Sequence, residues 1–328
     1  MKLIVAKLQI ARATALAAFI TIAMLCAAID AHAASSSRTP GDHRESIKFG
    51  GYDRSFLVHI PQKTDSTAKL PVVLMLHGAG GSAEGAARET GWSIEADKNG
   101  FLAVYPEALP LRPDLPSGFF GNPRVWASSG RGRHAEIADD IGFLSAVMDQ
   151  LIQSYGADPK RIYVTGMSSG ASMTFRAGLV VASRVAAIAP VAGRLQVDAR
   201  ELAYPVPLLF IVGTADPLNP IAGGEVKVPW TLAKTEYREP IGNSVAAWRA
   251  MLGCTDITRT LVDSGGVKGI AWDKCAKGGV VEYYLVDGLG HVWPGGTTRL
   301  PERWIGKASD KLNATALIWE FFKAHPRP

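Results

Sequence analysis

Seven short apolar runs, each followed by a turn-rich or helix-patterned segment, constrain this chain more than any other feature. They are "FLVHI" from residue 56, "PVVLML" from 71, "FLAVY" from 101, "RIYVT" from 161, "AAIAP" from 186, "PLLFIV" from 207 and "VEYYLV" from 281. Most are apolar on consecutive positions, the pattern of a parallel strand covered on both faces. Between them, Ile137, Ile141, Leu144, Met148, Leu151 and Ile152 recur at helical spacing until Gly156 and Pro159 stop the pattern. Residues 83–98, 169–182, 244–252 and 309–324 read as further helices. Strand and helix alternate throughout, which predicts an α/β fold: a mostly parallel central sheet with helices on both faces. No internal repeat or dividing linker interrupts the pattern. Two long irregular stretches, 107–134 and 217–242, are rich in Gly, Pro and aromatics. In an α/β sheet such insertions gather where ligands bind, beyond the carboxyl ends of the strands.

The amino terminus differs in kind. Lys2, Lys7 and Arg12 precede an apolar run from Ala13 to Ile29, and Ala31-His32-Ala33 offers small residues at cleavage spacing. This is the pattern of a secretory signal peptide over residues 1–33; the run is short and Ala-rich for a retained membrane anchor. The expected order is signal peptide 1–33, polar leader 34–50 and one catalytic domain 51–328, in a secreted or periplasmic protein. Cleavage removes three of 35 basic and one of 30 acidic residues, which leaves a net charge of +3. That is too mild to point to nucleic acid or to a membrane surface as partner. Cleavage also removes Cys26, and the two remaining thiols, Cys254 and Cys275, most simply form one disulfide in an oxidising compartment. Closing a loop of about 20 residues stabilises by about 3 kcal/mol in the chain-entropy model.

Residues 166–170 spell Gly-Met-Ser-Ser-Gly, a G-x-S-x-G pattern. Alone the pattern is weak; here it directly follows "RIYVT" and directly precedes a helical segment, as a strand-to-helix nucleophile turn requires. The spacing makes Ser168 the nucleophile. A serine hydroxyl needs a base, and in this arrangement acid and histidine follow the serine along the chain. Downstream only His291 and His325 exist. His325 lies in the terminal "AHPRP", whereas His291 follows the strand-like "VEYYLV" on "VDGLGHVWPGG", so His291 is the expected base. Asp216, just past "PLLFIV", is the expected acid, with Asp287 on the histidine's own loop as runner-up. The oxyanion donors are expected from the amide of Ser169 and from the "HGAGG" turn at 77–81, where Ala79 is chosen among its neighbours. That turn lacks the Lys-Ser/Thr end of a phosphate loop and the G-x-G-x-x-G of a dinucleotide site.

"LMLHGAGGSA", "GMSSGASM", "VGTADPLNP" and "GLGHVWPGG", spaced as they are, resemble the polyhydroxybutyrate depolymerase-like esterases, a group that includes feruloyl and acetylxylan esterases. The resemblance runs from about Gly51 to the C-terminus. It implies an α/β-hydrolase fold, the triad Ser168, Asp216 and His291, and a disulfide joining Cys254 to Cys275. It implies an ester substrate, of polyester-oligomer or plant-polysaccharide type; acyl transfer through a serine and a histidine needs neither metal nor organic cofactor. The resemblance also places Trp126 near the substrate. From their own chemistry, Phe119, Phe120, Trp126, Trp230 and Trp293 are candidate aromatics for an acyl or aromatic pocket. Asp139 and Asp140 are expected to complement a helix start instead. No additional substrate-binding domain is expected, which argues against crystalline polymer as substrate. The competing readings are a serine peptidase or acyltransferase on the same fold, and a silent hydrolase fold used for binding.

Overall fold

In the computed structural model, residues 39–62, 68–228 and 235–328 are described, and Pro40–Pro328 make one compact unit. All seven apolar runs are strands: β2 (Tyr52–Ile60), β3 (Leu70–Leu76), β4 (Leu102–Pro106), β5 (Ala157–Met167), β6 (Ala187–Val191), β7 (Leu208–Gly213) and β12 (Val281–Val286). With β1 (Gly41–Phe49), β10 (Arg259–Ser264) and β11 (Val267–Trp272) they form one sheet ordered β1-β2-β4-β3-β5-β6-β7-β12-β11-β10. The six neighbours from β4 to β12 pair in parallel, and antiparallel strands flank them on each side. A separate hairpin, β8 (Gly224–Lys227) with β9 (Thr235–Arg238), stands in the second irregular stretch. The helices are α1 (Ala83–Thr90), α2 (Trp92–Asn99), α3 (Arg133–Ile137), α4 (Asp140–Ser154), α5 (Ser169–Val180), α6 (Ile241–Leu252), α7 (Glu302–Ile305) and α8 (Ala314–Ala324).

The strand side chains alternate between two hydrophobic cores. Val72, Leu74 and Leu76 join a core with α4, α5 and α6, through Leu144, Phe175 and Trp248. Val73 and Met75 join the opposite core with α1, α2 and α8, through Ala86, Trp92 and Phe322. Consecutive apolar positions are therefore required because each face of the sheet has its own helical cover.

Three sequence expectations change. Residues 41–49, read as polar leader, are the edge strand β1, in full antiparallel register with β2. Its burial alternates with period two; Ile47 and Phe49 on the inner face pack against the core, but Gly41, His43 and Glu45 ahead of them give no apolar run. Glu45 there accepts hydrogen bonds from Tyr155 Oη (2.6 Å) and Gln150 Nε2 (3.1 Å), so hydrogen bonding replaces the hydrophobic signal. The helix expected over 83–98 is two helices, because Gly91 takes φ 71° and caps α1 with its N–H on Ala87 O. The β10–β11 hairpin, which the apolar-run reading passed over, turns on Gly265 and Gly266, both at positive φ.

The disulfide between Cys254 and Cys275 joins the residues just after α6 to those just after β11. Asp139 caps α4 by accepting from Gly142 N at 2.9 Å. Asp140 does something else: fully buried, it pairs with Arg54 Nη2 at 2.7 Å and accepts from Ala127 N at 2.7 Å. Arg54 lies over the Phe143 ring, and Arg176 Nη1 donates to Ala127 O. The first irregular stretch is thus fastened from two sides to the sheet and helices beneath it. Among the described residues no helix is long and apolar enough to cross a membrane.

Candidate active site

Ser168, Asp216 and His291 stand just past the carboxyl ends of β5, β7 and β12, three strands of the parallel block. Ser168 turns the chain from β5 into α5 with φ 57° and ψ −116°; among the described residues, only it and Ala192 have positive φ without being glycine. Such a conformation persists only where the surroundings hold it. A Cβ on Gly166 would come within 2.5 Å of Gly170 O, and one on Gly170 within 2.1 Å of Leu76 O, so both outer positions of the motif are closed to any side chain. Ser168 N donates to Val191 O at 3.0 Å, and a Cβ on Gly193 would meet Ser168 O at 2.7 Å. The Ala192-Gly193 turn after β6 is therefore a second support of the serine turn, one that the sequence reading missed. Ser168 is the N-cap residue of α5 yet makes no side-chain cap bond, which leaves its hydroxyl free of structural duty.

His291 Nδ1 bonds Asp216 Oδ2 at 2.8 Å, with both side chains buried. Asp216 Oδ1 accepts from the amides of Leu218 and Asn219, each at 2.8 Å. Burial alone would push this carboxyl up, but His291 and the two amides outweigh it and hold it below the ordinary aspartate value. An acid that stays ionised can fix the imidazole tautomer and stabilise its cation. Asp287, the runner-up, is exposed and interacts with Lys311 and Thr214. His325 closes α8 with Nδ1 on Phe321 O at 2.7 Å. The histidine loop is seated by His291 N on Ile305 O (2.5 Å) and Gly290 N on Lys307 O (2.8 Å). A Cβ on Gly213 would lie 2.1 Å from Leu289 O, so glycine at the end of β7 lets the aspartate and histidine segments meet.

Ser168 and His291 face one cavity of about 320 Å³, which Ala79, Met167, Phe119 and Trp293 also line. In the "HGAGG" turn, Gly80 N donates to Arg124 O and Gly81 N to Gly78 O, whereas the amides of Gly78 and Ala79 have no acceptor among the described residues. Ser169 opens α5, where first-turn amides have no helical partner. Ala79 and Ser169 thus both offer unspent donors beside Ser168, the requirement for stabilising an oxyanion. The turn is held by His77, whose Nε2 accepts from Ala108 N (3.1 Å) and whose Nδ1 therefore donates to Gly78 O (2.7 Å). Burial lowers the His77 pKa and keeps the ring neutral, as this bonding requires.

Trp126 is not a cavity residue. It is buried at 2% exposure and donates Nε1 to His77 O at 2.9 Å, beneath the turn. Trp293 does line the cavity, but its Nε1 is committed to Thr315 Oγ1 at 2.9 Å. Phe119 packs against Gly80, Phe120 is 69% exposed, and Trp230 lies outside the described residues.

Fold and site geometry together define the α/β-hydrolase class. Residues 54–218, half of the chain, match the family described as "Esterase PHB depolymerase". The chain belongs to this family of serine esterases. It is 30% identical over 269 residues to the protein described as "Putative esterase NocK" of Nocardia uniformis subsp. tsuyamanensis, covering 75% of this chain and 72% of NocK. It is 25% identical over 302 residues to the poly(3-hydroxybutyrate) depolymerase of Ralstonia pickettii, covering 84% of this chain and 59% of that one. In sequence, the chain spans between 21% and 41% of the length of five relatives that are acetylxylan or feruloyl esterases. Among solved structures, the acetyl xylan esterase from Aspergillus awamori shares the fold at TM-score 0.52 and 15% identity, over 76% of this chain and 94% of that one.

Proposed function

We propose that the mature protein is an exported carboxylesterase that works through an acyl-enzyme on Ser168, with His291 as base and Asp216 as its orienting acid. The buried Asp216–His291 bond at 2.8 Å, behind a histidine that lines the same cavity as the strained Ser168, is the observation that carries this reading. With Nδ1–H held by Asp216, His291 Nε2 is free to accept the Ser168 proton as Oγ attacks the ester carbonyl. The amides of Ala79 and Ser169 receive the developing oxyanion. Collapse expels the alcohol, which takes its proton from His291. Water then attacks the acyl-enzyme, giving a proton to His291 and releasing the acid as Ser168 recovers its own.

The names of the relatives favour two substrate groups: hydroxyalkanoate esters of the 3-hydroxybutyrate type, and feruloyl or acetyl esters of polysaccharides. Export is supported by the pattern over residues 1–33, which lie outside the described residues, and by the disulfide. The test is a panel of nitrophenyl esters of increasing chain length, a feruloyl ester, acetylated xylan and amorphous polyhydroxybutyrate, with a nitroanilide to expose peptidase activity. Ser168→Ala is expected to abolish turnover; full activity in that variant would sink the mechanism.

A further inference from the structure

The catalytic cavity carries more positive charge than ester hydrolysis requires. Three guanidinium side chains line it, Arg88, Arg124 and Arg299, against a single carboxylate, Glu89. Arg124 is compensated from outside, with Nη2 3.8 Å from Glu107 Oε2. Arg88, in the last turn of α1, lies 3.8 Å from Glu89 and is 44% exposed. Arg299 stands on the loop that runs on from His291 and is exposed. Among the described residues, Arg299 has no carboxylate within ion-pairing distance and no hydrogen bond from its guanidinium. Glu89 therefore serves two neighbouring cations, and one positive charge at the cavity is left over. Burial also pushes the Glu89 carboxyl up, against the pull of Arg88 and Arg299, so its own negative charge is held less firmly than that of an exposed glutamate.

An unmatched guanidinium beside an otherwise largely apolar reaction cavity is suited to a carboxylate, which it binds by charge-assisted hydrogen bonds. Uncharged acyl or sugar esters give it nothing to bind. Resting on the esterase reading above, we propose that Arg299, assisted by Arg88, is a specificity-determining site for a free carboxylate on the substrate. The favoured substrates are then soluble hydroxyacid oligomers cleaved near their acidic end. In a 3-hydroxybutyrate dimer that carboxylate is on the leaving alcohol, close to the scissile ester, within reach of cations in the wall of the same cavity.

The experiment compares the 3-hydroxybutyrate dimer as free acid with its terminal carboxamide, the same ester without the charge. 4-Nitrophenyl butyrate serves as neutral reference. Wild type is expected to favour the acid in kcat/KM, and the preference to shrink in about 0.5 M sodium chloride. Arg299→Gln and Arg88→Gln should each cut the acid's kcat/KM, chiefly through KM, about three- to tenfold more than they cut that of the carboxamide or the nitrophenyl ester. Arg303→Gln, an exposed arginine on α7 outside the cavity lining, should change nothing. Equal kcat/KM for acid and carboxamide, a preference that survives the Arg88→Gln/Arg299→Gln pair, or refusal of both dimers while 4-nitrophenyl butyrate is cleaved would each overturn the proposal. Persistent nitrophenyl ester cleavage in Ser168→Ala would instead overturn the underlying mechanism.

Discussion

Replacing Asp216 with asparagine tests the site most sharply, because the surroundings dictate how the new amide must sit. The amides of Leu218 and Asn219 both point at Oδ1 from 2.8 Å, and this buried position demands an acceptor. The asparagine oxygen is therefore held there, and its NH2 faces His291 Nδ1, now 2.8 Å from a donor instead of an acceptor. His291 can respond only by accepting at Nδ1, which moves its proton to Nε2. In that tautomer Nε2 cannot take the proton of Ser168, and the imidazolium also loses its counter-charge. Together these should lower kcat by about 10⁴, or about 5.5 kcal/mol in activation free energy. The assay is steady-state hydrolysis of a nitrophenyl ester, with melting temperature and circular dichroism to show that the fold is kept. Asp287→Asn is the matched control: that side chain is 73% exposed, and activity should stay within about twofold of wild type. If Asp216→Asn kept more than about a tenth of the activity, or Asp287→Asn lost as much, the assignment of the acid would be wrong.

Gly170→Ala would set a methyl group 2.1 Å from Leu76 O and 2.6 Å from His77 O, backbone that has nowhere to retreat. We expect a loss of about 3 kcal/mol or more, seen as a melting temperature lower by roughly 6 °C or more; an unchanged melt would contradict the close packing of the elbow. Trp126→Phe removes the donor to His77 O and should lower kcat about three- to tenfold with little change in KM, since the turn is loosened but nothing in the cavity is lost. A rise in KM alone would mean that Trp126 touches substrate after all. In acid, burial raises the Glu107 carboxyl but Ser55, the Ala83 amide, Arg124 and Arg44 more than compensate, holding it below its ordinary 4.5. A depressed folded value means that its contribution is complete above about pH 4.5 and is lost as pH falls through the lower folded value. Thermal melts of Glu107→Gln should accordingly depend less on pH between about 5 and 3 than those of wild type, and identical profiles would refute this.

Much of the molecule was legible in its sequence because the signals are local. A buried parallel strand needs consecutive apolar residues, so "PVVLML" and "PLLFIV" announce themselves. A serine pressed out between strand and helix needs glycines at fixed spacing, so Gly166 and Gly170 identify Ser168 as the turn residue. What stayed hidden depends on partners far along the chain. β1 escaped notice because only Ile47 and Phe49 of its inner positions make apolar contact, while Glu45 is satisfied by Tyr155 and Gln150, more than a hundred residues away. The sequence could rank Asp216 above Asp287 but could not measure which carboxylate reaches His291, a distance that exists only once β7 and β12 lie side by side. Trp126 shows the same limit from the other direction: its place in the insertion suggests a pocket wall, yet the buried Asp140 carboxylate draws the neighbouring Ala127 inward, and the indole ends beneath the turn. Periodicity and spacing thus determine the parallel core of the sheet, the order of motifs along the chain and the serine turn. Pairing across the chain decides which acid meets the histidine, which amides are left unspent, and which cations remain unmatched at the cavity, because each is a balance of hydrogen bonds and charges that only assembled neighbours can settle.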